Sequence, residues 1–239
     1  YAQWYTGKMS GEYWGYETIG IAKTQEEMDQ HLASLPNGGQ DALGTKWSAG
    51  DIMYKDLNGD GKIDAGSSTL GDSGDKKIIG NNTPRYRYGV TLDGSWKGFD
   101  LNLFFQGVAK RDYILEGPYF WGAKNGQWHS VGFEEHWDFF RPEGDPLGAN
   151  LNSYYPRPLF DQGGKNQEYQ TRYLQNAAYI RLKNVQLGYT FPRTWVSKIG
   201  LQSLRLYFSG DNLLTFTKLH GYFDPEPLGD TGDQTGKVY

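Results

Sequence analysis

The chain of 239 residues carries a formal net charge of −4 and contains no cysteine. Its mild acidity and the lack of a clustered Lys/Arg stripe argue against a nucleic-acid-binding surface, and the lack of cysteine excludes disulfides and thiolate metal sites. No run of 18 apolar residues occurs, so the sequence predicts no transmembrane helix. The 18 Tyr, 12 Phe and 8 Trp residues fit aromatic girdles at a membrane–water boundary or, equally, a carbohydrate-binding surface.

The first element that the sequence predicts with a clear boundary is a short helix over residues 24–35. Thr24 and Glu27 have the spacing of a capping box, and Met28, Leu32 and Leu35 form one apolar stripe. A helix this short does not persist alone in water, so we expect it to pack on neighbouring structure.

An acidic loop follows, in which DLNGDGKID at residues 56–64 matches the first nine positions of an EF-hand calcium loop. The expected oxygen ligands are the side chains of Asp56, Asn58, Asp60 and Asp64 and the carbonyl group of Lys62. The twelfth position is Ser67, where an EF-hand has a bidentate Glu, so the motif is incomplete in this register. The alternative is a turn of Asp, Asn and Gly residues without an ion.

Two segments predict a β-hairpin next. Residues 85–93 and 99–107 alternate apolar and polar side chains, and the turn-forming stretch GSWKG joins them. Alternation with a period of two gives each strand one apolar and one polar face.

The segment 108–171 is too long for an ordinary connection. It contains the aromatic stretch GPYFWG, a predicted helix over residues 130–140 and the stiff stretch YYPRP, so we expect it to have a small core. His129 and His136 are seven residues apart, which does not suit a helical metal-binding pair. No nucleophile turn or phosphate-binding loop is present either, and we predict no catalytic residues and no enzymatic activity.

Two further strands, over residues 179–191 and 204–217, repeat the alternation for ~9–11 residues, the length with which a tilted strand crosses a bilayer. Ile180 and Leu182 occupy even positions, whereas Val185 and Leu187 occupy odd ones. This change of phase predicts a β-bulge near Lys183–Asn184. A soluble antiparallel sheet with one wet face gives the same alternation and is the alternative.

The connections alternate in length: the long segments 22–84, 108–171 and 218–239 are separated by the short links 94–98 and 192–201. Outer-membrane barrels have short periplasmic turns and long extracellular loops. The pattern therefore predicts an all-β fold of antiparallel transmembrane β-barrel strands, with the three long segments as extracellular loops. So few strands do not close a barrel. The chain also begins without Met, so we expect a piece of a longer protein.

Four stretches resemble a known family: TPRYRYGVTLDGSWKGFDLNLFFQG, RLKNVQLGYTFP, LRLYFSGDNLLTFTK and GYFDPE. In this order and spacing they are similar to the C-terminal signature of SusC/RagA-type TonB-dependent outer-membrane transporters. The resemblance implies the C-terminal fragment of a large plugged barrel of about 22 strands, located in the outer membrane of a Gram-negative bacterium. It also implies that a later Asp, for which Asp75 is the first candidate and Asp72 the second, completes a structural Ca²⁺ site in the acidic loop.

The same resemblance implies a nutrient importer that takes up oligosaccharides or peptides together with a SusD-like surface lipoprotein and is energised by TonB. Aromatic side chains of the long loops can stack on sugar rings; the candidates are Tyr119, Phe120, Trp121, Trp128 and Trp137. The alternative is a secreted, calcium-stabilised carbohydrate-binding β-sandwich that uses the same aromatic residues. Solubility without detergent distinguishes the two.

Overall fold

A computed structural model describes residues 5–122, 132–160 and 163–228. The strands are β1 (Glu12–Tyr16), β2 (Thr18–Ile21), β3 (Ile52–Tyr54), β4 (Lys76–Asn81), β5 (Arg85–Trp96), β6 (Phe99–Lys110), β7 (Asp112–Ile114), β8 (Leu174–Asn176), β9 (Tyr179–Thr190) and β10 (Arg205–Thr217). The α-helices are α1 (Gln25–Ala33), α2 (Pro118–Trp121) and α3 (Arg193–Val196), and 3₁₀ turns occupy Glu134–Trp137, Gly163–Asn166 and Ser197–Ile199. Over these described residues, no helix combines the length and the apolar character needed to span a membrane.

The chain divides into two compact units. Unit 1 consists of Tyr1–Asn82 and Tyr113–Leu174, and unit 2 consists of Thr83–Asp112 and Gln175–Tyr239. Most of the two long segments predicted as separate loops, 22–84 and 108–171, therefore belongs to one folded body. Connection lengths show that such segments are long but not that they pack on each other.

Unit 2 is built on a four-stranded antiparallel sheet with the strand order β10-β9-β6-β5. The hairpin between β5 and β6 turns over Lys97 and Gly98, whose φ angles are 47° and 90°. Two positive φ angles fit the tight turn whose twist suits a β-hairpin. The predicted five-residue link is thus shorter in the structure, because the strands pair as far as Trp96 and Phe99.

The register places the apolar side chains of the sheet on one surface, since directly opposite residues of an antiparallel pair share a face. Leu101 lies opposite Leu187, and Leu206 lies opposite Tyr189. We call this surface the apolar face; its main members are Val90, Leu92, Leu101, Leu103, Phe105, Leu182, Val185, Leu187, Leu206, Phe208, Leu214 and Phe216. The exposed fractions of Leu101, Leu187 and Leu206 are 39%, 46% and 59%. The two-faced ribbon predicted from the alternation is confirmed.

The opposite surface, here called the polar face, carries hydrogen-bonding and charged side chains. Asn102 lies opposite both Asp93 and Gln186, and its Nδ2 donates to Asp93 Oδ1 at 2.5 Å. Arg205 and Asp100 form an ion pair at 2.5 Å. These cross-strand pairs satisfy part of the hydrogen-bonding capacity of this face.

A β-bulge in β9 keeps the apolar face continuous. The register with β6 passes from Phe104 opposite Asn184 to Phe105 opposite Leu182, which leaves Lys183 without an opposing residue. The extra residue shifts the phase of the alternation, so the apolar residues on both sides of it share one face. The predicted bulge near Lys183–Asn184 is confirmed.

Unit 1 contains the antiparallel pairs β1–β4 and β2–β3 and the helix α1. The backbone N–H of Glu27 donates to the Thr24 hydroxyl oxygen at 3.1 Å, and Met28 is fully buried. The predicted N-terminal cap of α1 is therefore present; of the predicted apolar stripe, Met28 is buried within the helix, Leu32 is half-buried and Leu35 is buried just after the helix ends. The helix packs within unit 1, as its short length requires.

A buried ionic network joins the two chain segments of unit 1. Asp51, which is fully buried, accepts hydrogen bonds from Lys165 Nζ at 2.7 Å, Asn166 Nδ2 at 2.9 Å and Arg157 Nε at 2.8 Å. Burial alone would raise the pKa of Asp51, but the hydrogen bonds from Arg157, Asn166 and Lys165 outweigh it and hold that pKa below its usual value. The carboxylate therefore remains ionised and fixes residues far apart in the sequence.

We expect Asp51→Ala to lower the free energy of unfolding of unit 1 by about 3–5 kcal/mol, because it leaves buried cationic groups without their partner. Since the native pKa is depressed, the same stabilisation is present above a pH of about 4 and is lost as the pH falls further. Hydrogen–deuterium exchange over residues 44–54 measures both effects. Glu17→Ala, which removes a half-exposed ion pair with Lys55, is the control and changes exchange little. Equal effects of both variants would contradict the assignment.

Candidate functional site

Aromatic residues of the segment 108–171, together with Tyr173, pack against one another to form a core within unit 1. The ring of Trp121 lies 4.6 Å from that of Tyr173, and the ring of Phe120 lies 5.7 Å from that of Tyr155, both edge to face. Phe120 is fully buried, and Trp121 is 9% exposed. In this arrangement Phe120 and Trp121, both predicted to contact substrate, pack inside the unit. A run of consecutive aromatic residues in the sequence does not indicate which of their side chains are buried.

Tyr119 and Trp137 are the predicted substrate-binding residues that remain accessible, each 56% exposed. Tyr119 stacks on Phe133 with ring centroids 5.8 Å apart, and the Arg141 guanidinium lies 5.2 Å from the Trp137 ring. Both rings are therefore held in place while one face remains available. Trp128 lies outside the described residues.

The helix predicted over residues 130–140 is represented, among the described residues, by the 3₁₀ turn Glu134–Trp137. His136 stabilises the turn: its Nδ1 accepts from the backbone N–H of Phe133 at 3.1 Å, and its Nε2 lies 3.1 Å from the carbonyl oxygen of Phe120. Burial lowers the pKa of His136, which favours the neutral ring that this pairing requires. His136 has a structural role.

The acidic loop folds around hydrogen bonds from its own backbone. Asp56 accepts from the N–H groups of Gly59 at 2.6 Å and Gly61 at 2.9 Å, and Asn58 Oδ1 accepts from Asp60 N at 2.9 Å. Across residues 5–122, 132–160 and 163–228, no three His, Asp or Glu side chains converge closely enough to hold a metal ion. The potential ligand atoms of this loop are hard oxygens, as Ca²⁺ prefers. In the present arrangement, however, the Asp56 carboxylate accepts hydrogen bonds from backbone amides.

Asp75 lies against the acidic loop, as the resemblance implied. Its carboxylate is fully buried and accepts from the backbone N–H of Leu57 at 2.8 Å and of Asp64 at 2.9 Å. Burial raises the pKa of Asp75 despite these hydrogen bonds, and the nearby charge of Asp56 adds to the rise. Lys62 pairs with Asp64 at 2.5 Å. Asp75 therefore contacts both ends of the predicted ligand segment, and the loop carries uncompensated negative charge near Asp75.

An ionic cluster on unit 2 was not identified from the sequence. Arg181 pairs with Asp224 and Glu226, each at 2.5 Å, and Lys183 pairs with Glu226 at 2.9 Å. Arg181 Nε also donates to the hydroxyl oxygen of Thr215 at 2.8 Å. The two signals that point to this cluster are the β-bulge at Lys183 and the acidic pair of the GYFDPE stretch, which are more than 40 residues apart.

No protein-family model matches the chain. Curated relatives from Formosa agariphila do: TonB-dependent receptor P3 is 33% identical over 225 residues, covering 92% of this chain and 19% of that protein. TonB-dependent receptor P39 is 25% identical over 257 residues, covering 95% of this chain and 23% of that protein. The chain belongs to the TonB-dependent receptor family. It spans about one fifth of the length of these relatives.

The fold of this TonB-dependent receptor chain matches solved structures. One of the RagAB peptide transporter gives a TM-score of 0.57 at 22% identity, over 90% of this chain and 20% of the other. Another, of the RagAB peptide importer in its open-open state, gives 0.53 at 20% identity, over 93% and 22%. The predicted SusC/RagA resemblance is confirmed, as is the fold class of antiparallel strands from a large transmembrane barrel. A secreted β-sandwich is not favoured, and the matched proteins are named receptors and transporters rather than enzymes.

Introducing a charged residue on the apolar face tests whether this face contacts lipid. We expect Val185→Lys, at the centre of β9, to lower the free energy of unfolding from a bilayer by about 2–4 kcal/mol, the cost of a lysine on a lipid-facing midplane site. Gln186→Lys, one residue away on the polar face, is the matched control with little expected effect. Urea unfolding of the protein reconstituted in phosphatidylcholine vesicles measures both. Equal losses would show that the apolar face does not meet hydrocarbon.

Proposed function

We propose that this chain is part of an importer in the outer membrane of a Gram-negative bacterium, which takes up oligosaccharides or peptides using energy supplied through TonB. The observation that carries the proposal is the two-faced sheet of unit 2 in a chain of the TonB-dependent receptor family. An exposed apolar surface on one side and a polar, charged surface on the other suit a wall between hydrocarbon and a watery lumen.

The long segments 22–84, 108–171 and 218–239 form extracellular loops in this proposal, in keeping with the alternation of long and short connections. Tyr119 and Trp137 offer accessible rings in the second of them, and these rings contact the ligand. The proposed partner at this surface is a SusD-like lipoprotein, and TonB acts through another part of the complete protein. Peptides are included as ligands because the matched RagAB structures are those of a peptide transporter.

The acidic loop binds a structural Ca²⁺ ion in the same proposal. Its supports are the oxygen donor set of residues 56–64, the position of Asp75 against both ends of that set, and the uncompensated charge there. Binding requires the carboxylates to turn from backbone amides toward the ion. A divalent cation would then add positive charge to that which Lys62 provides beside Asp60 and Asp64.

Ligand binding by the exposed aromatic residues is tested with Trp137→Ala and Tyr119→Ala in the complete receptor. We expect each to weaken binding of a fluorescent oligosaccharide or peptide by about tenfold, since truncating a buried contact aromatic at an interface costs on the order of 1–2 kcal/mol. Uptake into energised cells should fall in parallel and should stop when the proton-motive force is collapsed. Trp195→Ala, which removes an exposed Trp of unit 2, is the control. Uptake that persists without energy would contradict the import proposal.

Calcium binding is tested by hydrogen–deuterium exchange of residues 57–66 in Ca²⁺ and in a chelator. A Ca²⁺ concentration of about 100 times Kd stabilises the bound loop by about 2.7 kcal/mol, which slows exchange accordingly. Asp56→Asn, which removes a charged ligand, should abolish the difference. Asp145→Asn changes an acidic residue in an exposed turn and should leave it intact. If the exchange rates of the native protein do not depend on Ca²⁺, the proposed Ca²⁺ site is wrong.

A further inference from the structure

A cavity of about 480 Å³ lies on the polar face of unit 2. Its walls come from β5 and β6, from the first residue of β9 and from the segment after β10; the residues that matter here are Arg87, Tyr88, Phe104, Gln106, Arg111 and Glu226. The cavity is mixed in character, with aromatic rings beside charged and amide groups. This combination is typical of a site for a polar ligand.

The acidic groups near the cavity are already neutralised. Glu226 accepts from Lys183 Nζ at 2.9 Å and pairs with Arg181 at 2.5 Å, and Asp224 pairs with Arg181 at 2.5 Å. Arg111 donates to the backbone carbonyl oxygens of Pro225, at 3.4 Å, and of Leu228. These contacts hold the segment that follows β10 on the polar face and leave its carboxylates little capacity to pair with another cation.

Arg87 and Gln106 have unused hydrogen-bonding capacity. Neither side chain forms a hydrogen bond or an ion pair with any other residue in the described part of the chain, and Arg87 is exposed. Arg87 lies opposite Val108 in the register of β5 and β6, and Gln106 lies opposite Gly89. The two side chains thus line the same cavity, where Arg87 adds a positive charge that no carboxylate balances.

We propose that this cavity binds a carboxylate group of the imported ligand, with Arg87 as the charged contact and Gln106 as an amide donor. The guanidinium is a planar fork that matches a carboxylate with two parallel hydrogen bonds. The Phe104 ring, which lies on the same face of the sheet as Gln106, supplies a surface for the apolar parts of the same ligand. The inference rests on the proposed import function and specifies it: the ligand is an acidic oligomer, either an acidic peptide or an oligosaccharide that contains uronic acids.

The test compares acidic and neutral probes from both sources on the complete receptor in nanodiscs. The probes are a Glu-rich tetrapeptide, its Gln counterpart, a galacturonic acid tetramer and a glucose tetramer, each fluorescently labelled. We expect one acidic probe to bind about tenfold more tightly than its neutral counterpart, and that preference to weaken as salt rises. Which acidic probe shows the preference identifies the source of the carboxylate.

Arg87→Gln should remove the preference for the acidic probe, whereas Arg87→Lys should retain part of it because the charge remains. Lys97→Gln removes a cation in the hairpin turn at the other end of β5 and is the matched control. Equal binding of acidic and neutral probes by the native protein, or an unchanged preference in Arg87→Gln, would overturn the carboxylate site while leaving import standing. If no probe binds or enters energised cells, the import proposal itself fails. The salt dependence of the native protein decides the question should Arg87→Gln not fold.

Discussion

The antiparallel pairing of β6 with β5 on one side and β9 on the other is the constraint on which the rest of unit 2 depends. Because side chains alternate with a period of two, a slip of one residue would move every Leu and Phe of the apolar face to the polar face. The bulge at Lys183 shifts the pairing by one residue, so the apolar side chains of β9 on both sides of the bulge lie on the apolar face. The side of the sheet that carries the apolar face thus follows directly from which backbone groups pair.

Unit 1 shows that long connections in this family can be organised structure. Its two chain segments meet at the buried carboxylate of Asp51, and its aromatic core surrounds Phe120 and Tyr173. Exposed rings such as Tyr119 and Trp137 are therefore presented from a fixed framework. A framework that is ordered before a ligand arrives lowers the entropy cost of binding.

Charge on the polar face of unit 2 is distributed unevenly. Near the strand ends, Arg181 and Lys183 hold Asp224 and Glu226, so the segment after β10 is fixed by ion pairs. Arg87 stands beside these pairs with its charge unbalanced. In the lumen of the proposed importer, such a charge would act over a longer distance than on an open surface. The same face can therefore both anchor a loop and attract an anionic ligand.

The sequence by itself determined the four strands of the large sheet in unit 2, the bulge, the capped helix and the family, because each leaves a local signal. Alternation at residues 85–107, the phase change between Leu182 and Val185, and the Thr24–Glu27 spacing are all read within a few residues. Only the tertiary structure decided that Phe120 is buried while Tyr119 is exposed, that Asp51 meets Lys165, and that Arg87 faces a cavity. The physical reason is that burial and ion pairing depend on residues more than 100 positions apart, as with Asp51 and Lys165, and no local pattern encodes which distant partner a side chain meets.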